Sequence, residues 1–135
     1  MRDITPDRFQ TLFGNGYAVT REFLENNRDV VESIGRALVK ATHFTRDPAN
    51  REKVLQHLAV GNPQEAEDPA YANALLDTVL EKGVPHNMDN GWGYNDPEHW
   101  QTWHDSLLAS GELEAPLEDL KSVYTNEFIE TWNQQ

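Results

Sequence analysis

Apolar residues recur at helical spacing in one stretch, Leu12 to Pro48, and that stretch organises the chain. Val30, Val31, Ile34, Ala37, Leu38, Ala41 and Phe44 fall on a single stripe of a helix predicted from Asp29 to about Phe44. Asp29, Glu32, Arg36 and Lys40 fall opposite it. Asn27 is the expected N-cap, and Asp29 suits the positive first turn. Before it, Gly16 to Thr20 is β-prone and runs into a short helix, Arg21 to Glu25, broken by Asn26-Asn27. Gly14-Asn15-Gly16 signals a turn, and Phe9, Leu12 and Phe13 are N-terminal apolar anchors. A single strand cannot satisfy its own backbone groups, and no second convincing strand follows. The run is therefore either merely extended or lacks its partners.

Downstream the pattern is helix and loop. Asp47-Pro48 starts a helix spanning 46–59, with Val54, Leu55 and Leu58 on its apolar edge, and Gly61-Asn62-Pro63 stops it. The acidic segment 64–69 reads as a solvated loop or frayed helix start. Tyr71, Ala72, Leu75, Leu76, Val79 and Leu80 mark a helix from Pro69 to Lys82, closed by Gly83 and Pro85. A loop rich in Asn, Asp and Gly, 86–96, precedes a helix capped by Asp96-Pro97, which puts Trp100, Trp103, Leu107 and Leu108 on one face and ends at Gly111. A helical turn over 117–123 and a last helix over 126–133, capped by Thr125 and with Phe128, Ile129 and Trp132 inward, complete the chain. The fold class is mostly α: five or six helices and at most one or two short strands, in one domain over 1–135.

Charge narrows the partners. Eleven Lys and Arg face 23 Asp and Glu, a formal charge of −12, which repels phosphate backbones and argues against nucleic acid. There is no cysteine, hence no disulfide, thiol nucleophile or thiolate metal site. No apolar run approaches the roughly 18 residues of a membrane span, and no signal-peptide pattern follows Met1.

Catalytic and metal patterns fail on spacing. His99 and His104 stand five apart on one helix, whereas zinc-binding helices use three or four, and His43, His57 and His86 are isolated. Residues 87–98 echo a calcium loop, but position six is Trp92 where the turn requires glycine. No nucleophile elbow, phosphate loop or complete dinucleotide fingerprint occurs, so neither enzyme activity nor a metal or cofactor is expected. Trp92 and Tyr94 remain as the lip of a small-molecule site, or as packing residues of a turn-rich loop.

The order of these pieces resembles the C-terminal part of a substrate-binding protein of ABC importers, in the nitrate, sulfonate, taurine and thiamine-precursor group. GNGYAVTREFLENN from Gly14 resembles that family's strand and following helix; Val31 to Phe44, with Arg36-Ala37-Leu38 and Lys40-Ala41, resembles the next long helix, and Asp47-Pro48 its continuation. Asn90-Gly91 through Trp100, then Leu107 to Gly111, resembles a late helix, and Tyr124 to Ile129 (YTNEFI) the closing segment. The resemblance implies a portion of a two-lobed α/β fold of the periplasmic-binding-protein type II, with the first lobe and most of the second expected upstream. It implies binding of a small organic or oxyanionic solute, an ABC permease partner and a periplasmic or extracytoplasmic location. Asn15, Tyr17, Trp92 and Tyr94 are the residues expected to face the cleft. Without the rest of the fold, the isolated chain is expected to self-associate. The alternatives are a free-standing helical interaction module and, third, a small enzyme using His and Asp.

Overall fold

The computed structural model describes residues 6, 9, 12, 15–85 and 88–134. Phe13, Gly14, His86 and Asn87, singled out above, lie outside them. Among the described residues seven α-helices follow one another: α1 Arg21–Asn26, α2 Arg28–Arg46, α3 Arg51–Gly61, α4 Pro63–Ala66, α5 Pro69–Lys82, α6 Pro97–Ser110 and α7 Ile129–Asn133. The 3-10 turns Pro48–Asn50 and Leu120–Val123 lie between α2 and α3 and between α6 and α7. The mostly α class holds, and there is no strand among the described residues. The β-prone run 16–20 is extended, irregular and exposed, with Tyr17 86% accessible. Among the described residues no strand lies beside it to complete a ladder. No described helix is long and apolar enough to cross a membrane.

Helix starts follow local chemistry. Asp68 accepts from the N–H groups of Ala70 and Tyr71, and Asp96 from that of Glu98. Asp47 accepts from Ala49, but Pro48–Asn50 tightens into a 3-10 turn before α3 begins. Asn27 occupies the cap position of α2 without capping it; its side chain donates back to the Phe23 carbonyl and finishes α1 instead. The acidic segment forms one helical turn, α4, and the last helix starts at Ile129, three residues late, after Thr125 accepts from Glu127.

Tertiary packing selects a different face of α2 from the one its sequence stripe suggests. The buried line is Gly35 and Val39, with Val31, Leu38 and Thr42 half-buried at its edge. Val30, Ile34, Ala37, Ala41 and Phe44 are exposed, and at 3.6 residues per turn they centre about 160° around the helix from Gly35 and Val39. The cause is Trp132. Its indole lies directly on the α2 backbone at Gly35, where a β-carbon would sit 2.1 Å from Cε2. Only glycine permits that approach, so the most extensive helix-to-helix contact, α2 against α7, is made on a residue with no side chain.

Around this contact the core is thin. Val39, Ala72, Leu76 and Phe128 are the buried apolar residues among those described, and the accessible surface is 10436 Å². A compact monomer of this mass exposes about 7,200 Å². Polar ties carry much of the joinery. Arg46 donates to the Leu80 carbonyl at 2.9 Å, tying α2 to α5. Arg51 reaches the Asn73 side-chain oxygen at 2.9 Å and Asp77 at 2.7 Å, tying α3 to α5. Arg28 pairs with Glu127 at 2.8 Å and lies over the Phe128 ring.

Gly35→Ala is expected to destabilise the chain by about 1–3 kcal/mol, because the added methyl displaces the Trp132 ring. Ile34→Ala, one residue away and 52% exposed, is expected to change stability by no more than about 0.5 kcal/mol. Urea midpoints of the two variants check the assignment; equal losses would place Ile34 in the core.

Candidate functional site

The loop 88–96 is held in shape by two asparagine side chains from the C-terminal segment. Asn133 Oδ1 accepts the Trp92 N–H at 2.8 Å, and its Nδ2 donates to the Trp92 carbonyl at 3.1 Å. Asn126 repeats the arrangement on Asn95, accepting its N–H at 2.8 Å and donating to its carbonyl at 2.8 Å. Each amide thus satisfies both backbone groups of one loop residue, as a neighbouring strand would. Asn95 completes the network by donating from Nδ2 to the Thr125 carbonyl at 3.0 Å and accepting from Trp100 Nε1 at 3.2 Å. Gly91 and Gly93 take φ of 85° and 84°, a region costly for other residues, and a β-carbon on Gly91 would strike the Asn133 amide at 2.7 Å.

This clamp sets Trp92 against the C-terminal end of α2. The Arg46 guanidinium lies over its ring at 5.5 Å, and His43 meets it edge-on at 6.3 Å. Trp92 and Tyr94 are each half-buried, so part of each remains available to solvent. Asn15 and Tyr17 lie on the exposed run before α1. The structure thus puts the four predicted residues on two separate segments. Asn126, Asn133, His43 and Arg46 were not picked out from sequence. Asparagine is an apt backbone mimic, but nothing local shows that positions 126 and 133 would meet a loop more than thirty residues earlier.

An apolar pocket of about 130 Å³ opens elsewhere, between α6 and the segment after it, lined chiefly by Trp100, Trp103, Leu107, Leu113 and Leu117. Trp103, on the apolar face expected for this helix, is half-buried on its wall, with Phe9 at a centroid distance of 6.2 Å. His104 is buried, and its role is structural: Nε2 accepts the Leu117 N–H at 3.1 Å, which leaves the proton on Nδ1, facing Asp105. The Gln101 amide, followed by the His104 ring, holds the Asp105 carboxyl below its ordinary value. Among the described residues, no three His, Cys, Asp or Glu side chains gather as a metal-ligating group. Asp96 and Asn95 of the calcium-like loop are occupied as helix cap and clamp.

An indole with a cation above it and an imidazole at its edge suits a flat ring or a polar group held beside one. No protein-family model and no solved structure matches the chain. It is 26% identical over 132 residues to the riboflavin-binding protein RibY of Chloroflexus aurantiacus. The match covers 87% of this chain and 33% of the relative, so the chain spans about a third of the length of that protein.

Asn133→Leu leaves the Trp92 N–H and carbonyl without their partner and is expected to cost about 1–3 kcal/mol. Amide hydrogen exchange at Trp92 should accelerate in Asn133→Leu while Asn95 stays protected, and the reverse should hold for Asn126→Leu. Loss of both protections in either variant would show one cooperative loop in place of two independent clamps. His104→Phe removes the acceptor of the Leu117 N–H and should cost a similar ~1–3 kcal/mol, read from its urea midpoint.

Proposed function

We propose that this chain is the C-terminal part of a non-catalytic solute-binding protein serving an ABC import permease outside the cytoplasm. The observation that carries the reading is the similarity to a riboflavin-binding protein along most of the chain. The order of elements supports it: the segments whose sequences resemble the nitrate, sulfonate, taurine and thiamine-precursor group are the extended run with α1, then α2, α6 and the 124–129 segment. Weak hydrophobic burial supports the partial-domain reading, since Val30, Ile34, Phe44, Val60 and Val79 on its helices are exposed and open to packing on more protein. In the absence of that protein, the same surface favours self-association of the isolated chain.

The solute in this reading is a small organic molecule with a planar ring, and riboflavin is the first to test. Trp92, with Arg46 above it and His43 beside it, is the proposed ring contact, and Tyr94 flanks it in sequence. Asn15 and Tyr17 are the proposed cleft residues on the other segment, exposed as the chain stands.

Flavin fluorescence provides the test. The isolated chain is expected to leave riboflavin fluorescence unchanged at micromolar concentrations. A chimera in which this chain replaces the matching third of the riboflavin-binding relative should quench it on binding. Trp92→Ala in that chimera should weaken Kd about tenfold, roughly 1.4 kcal/mol of lost ring contact. A folded chimera that binds neither riboflavin nor a thiamine precursor, taurine or nitrate would overturn the reading and favour a free-standing helical interaction module.

A further inference from the structure

Asparagine followed by glycine occurs twice, at Asn15-Gly16 and Asn90-Gly91, and an aromatic residue follows each pair, Tyr17 and Trp92. This dipeptide reacts with itself when its backbone is free to turn. The glycine nitrogen attacks the asparagine side-chain carbon Cγ, and glycine has no β-carbon to shield that nitrogen. A succinimide ring closes and Nδ2 leaves as ammonia. Water then opens the ring at either carbonyl. Attack at Cγ gives aspartate; attack at the main-chain carbon gives isoaspartate, in which the backbone runs through the side chain. A water enters and an ammonia departs, and nothing is oxidised or reduced.

The local sequences are alike, but the fold holds the two pairs differently. The Gly91 N–H donates to the Met88 carbonyl at 3.0 Å, closing the turn that carries Asn90. Gly91 takes a φ of 85°, with the Asn133 amide packed where a β-carbon would stand. The same Asn133 holds both backbone groups of the next residue, Trp92. The Gly91 nitrogen must leave Met88 before it can reach Asn90 Cγ. Asn15 and Gly16 are both exposed, in an extended run outside any helix or strand. Nothing lies within 4 Å of the β-carbon position of Gly16. Among the described residues neither the Asn15 side chain nor the Gly16 N–H has a hydrogen-bond partner.

We infer that Asn15 is a site of spontaneous deamidation and isoaspartate formation, and that the asparagine clamp protects Asn90 from the same reaction. Both halves follow from one condition, whether the glycine nitrogen is free to turn toward Cγ. The reaction adds a negative charge to a chain already at −12, and the isoaspartate lengthens the main chain by a methylene upstream of α1. The inference requires no ligand and stands whether or not the chain binds a solute. On the solute-binding reading, the new carboxylate falls on a proposed cleft residue.

The test incubates the full chain in mildly alkaline buffer, then weighs its tryptic peptides and labels isoaspartate with an isoaspartyl methyltransferase. Cleavage after Arg8, Arg21, Lys82 and Lys121 separates the two sites. Asn15 should convert at least about tenfold faster than Asn90, since the latter reacts only after local opening. Free peptides spanning 12–18 and 87–93 should convert at like rates, which assigns the contrast to the fold. Gly16→Ala has open space for its methyl and should slow Asn15 by at least about tenfold at an unchanged melting temperature. Asn133→Leu should speed Asn90 several-fold and leave Asn15 unchanged, whereas Asn126→Leu, which frees Asn95, should leave both unchanged. An Asn15 that stays intact while its peptide converts would overturn the inference. So would equal rates at the two sites of the folded chain, or peptides that differ as the folded sites do. Equal acceleration of Asn90 by Asn126→Leu would assign its protection to stability at large and overturn the role of the clamp.

Discussion

The arrangement of this chain depends on Trp132 reaching the backbone of α2. A five-residue helix such as α7 has no stability of its own, because nucleation costs more than one turn returns. It persists because Phe128 and Trp132 stack at 5.6 Å and press on α2, and Gly35 lets the indole come within van der Waals contact of the main chain. Gly93 faces the same ring from the loop side, where a β-carbon would sit 3.3 Å from it. One side chain therefore joins the longest helix, the loop and the C-terminus, and each asparagine clamp depends on that join.

The clamps show how a chain with little core can still fix a loop. Asn126 and Asn133 each satisfy a donor and an acceptor that would otherwise depend on water. The energy of any one bond is small, near 1 kcal/mol net, but both groups of a residue are held at once and the geometry is defined. Trp92 is thereby set beside His43 and Arg46, on the end of α2 where the helix dipole favours cations. The proposed recognition surface is a product of this scaffold, and the apolar pocket beside α6 lies among other residues.

Thin burial and the two-sided helix are aspects of one fact. If α2 were a surface helix, its outward face would be polar throughout. Here the outward face holds the apolar stripe, whereas Glu32 and Arg36, ion-paired with each other, are half-buried flanking the packed side. The chain's own helices leave the apolar stripe of its longest helix uncovered.

What the sequence determined alone is what local chemistry governs. Capping aspartates, prolines at first turns and terminal glycines place α5 and α6 at their observed bounds, because those interactions span only a few residues. The mostly α class follows from helical periodicity for the same reason. Tertiary structure decided which face of α2 is buried, because glycine carries no hydrophobic signal and the indole that needs it lies almost a hundred residues away. It decided the clamps as well, since an asparagine reads as a turn former until a distant backbone is brought beside it. It left 16–20 without a strand partner among the described residues, because a ladder requires a second edge that propensity alone cannot supply.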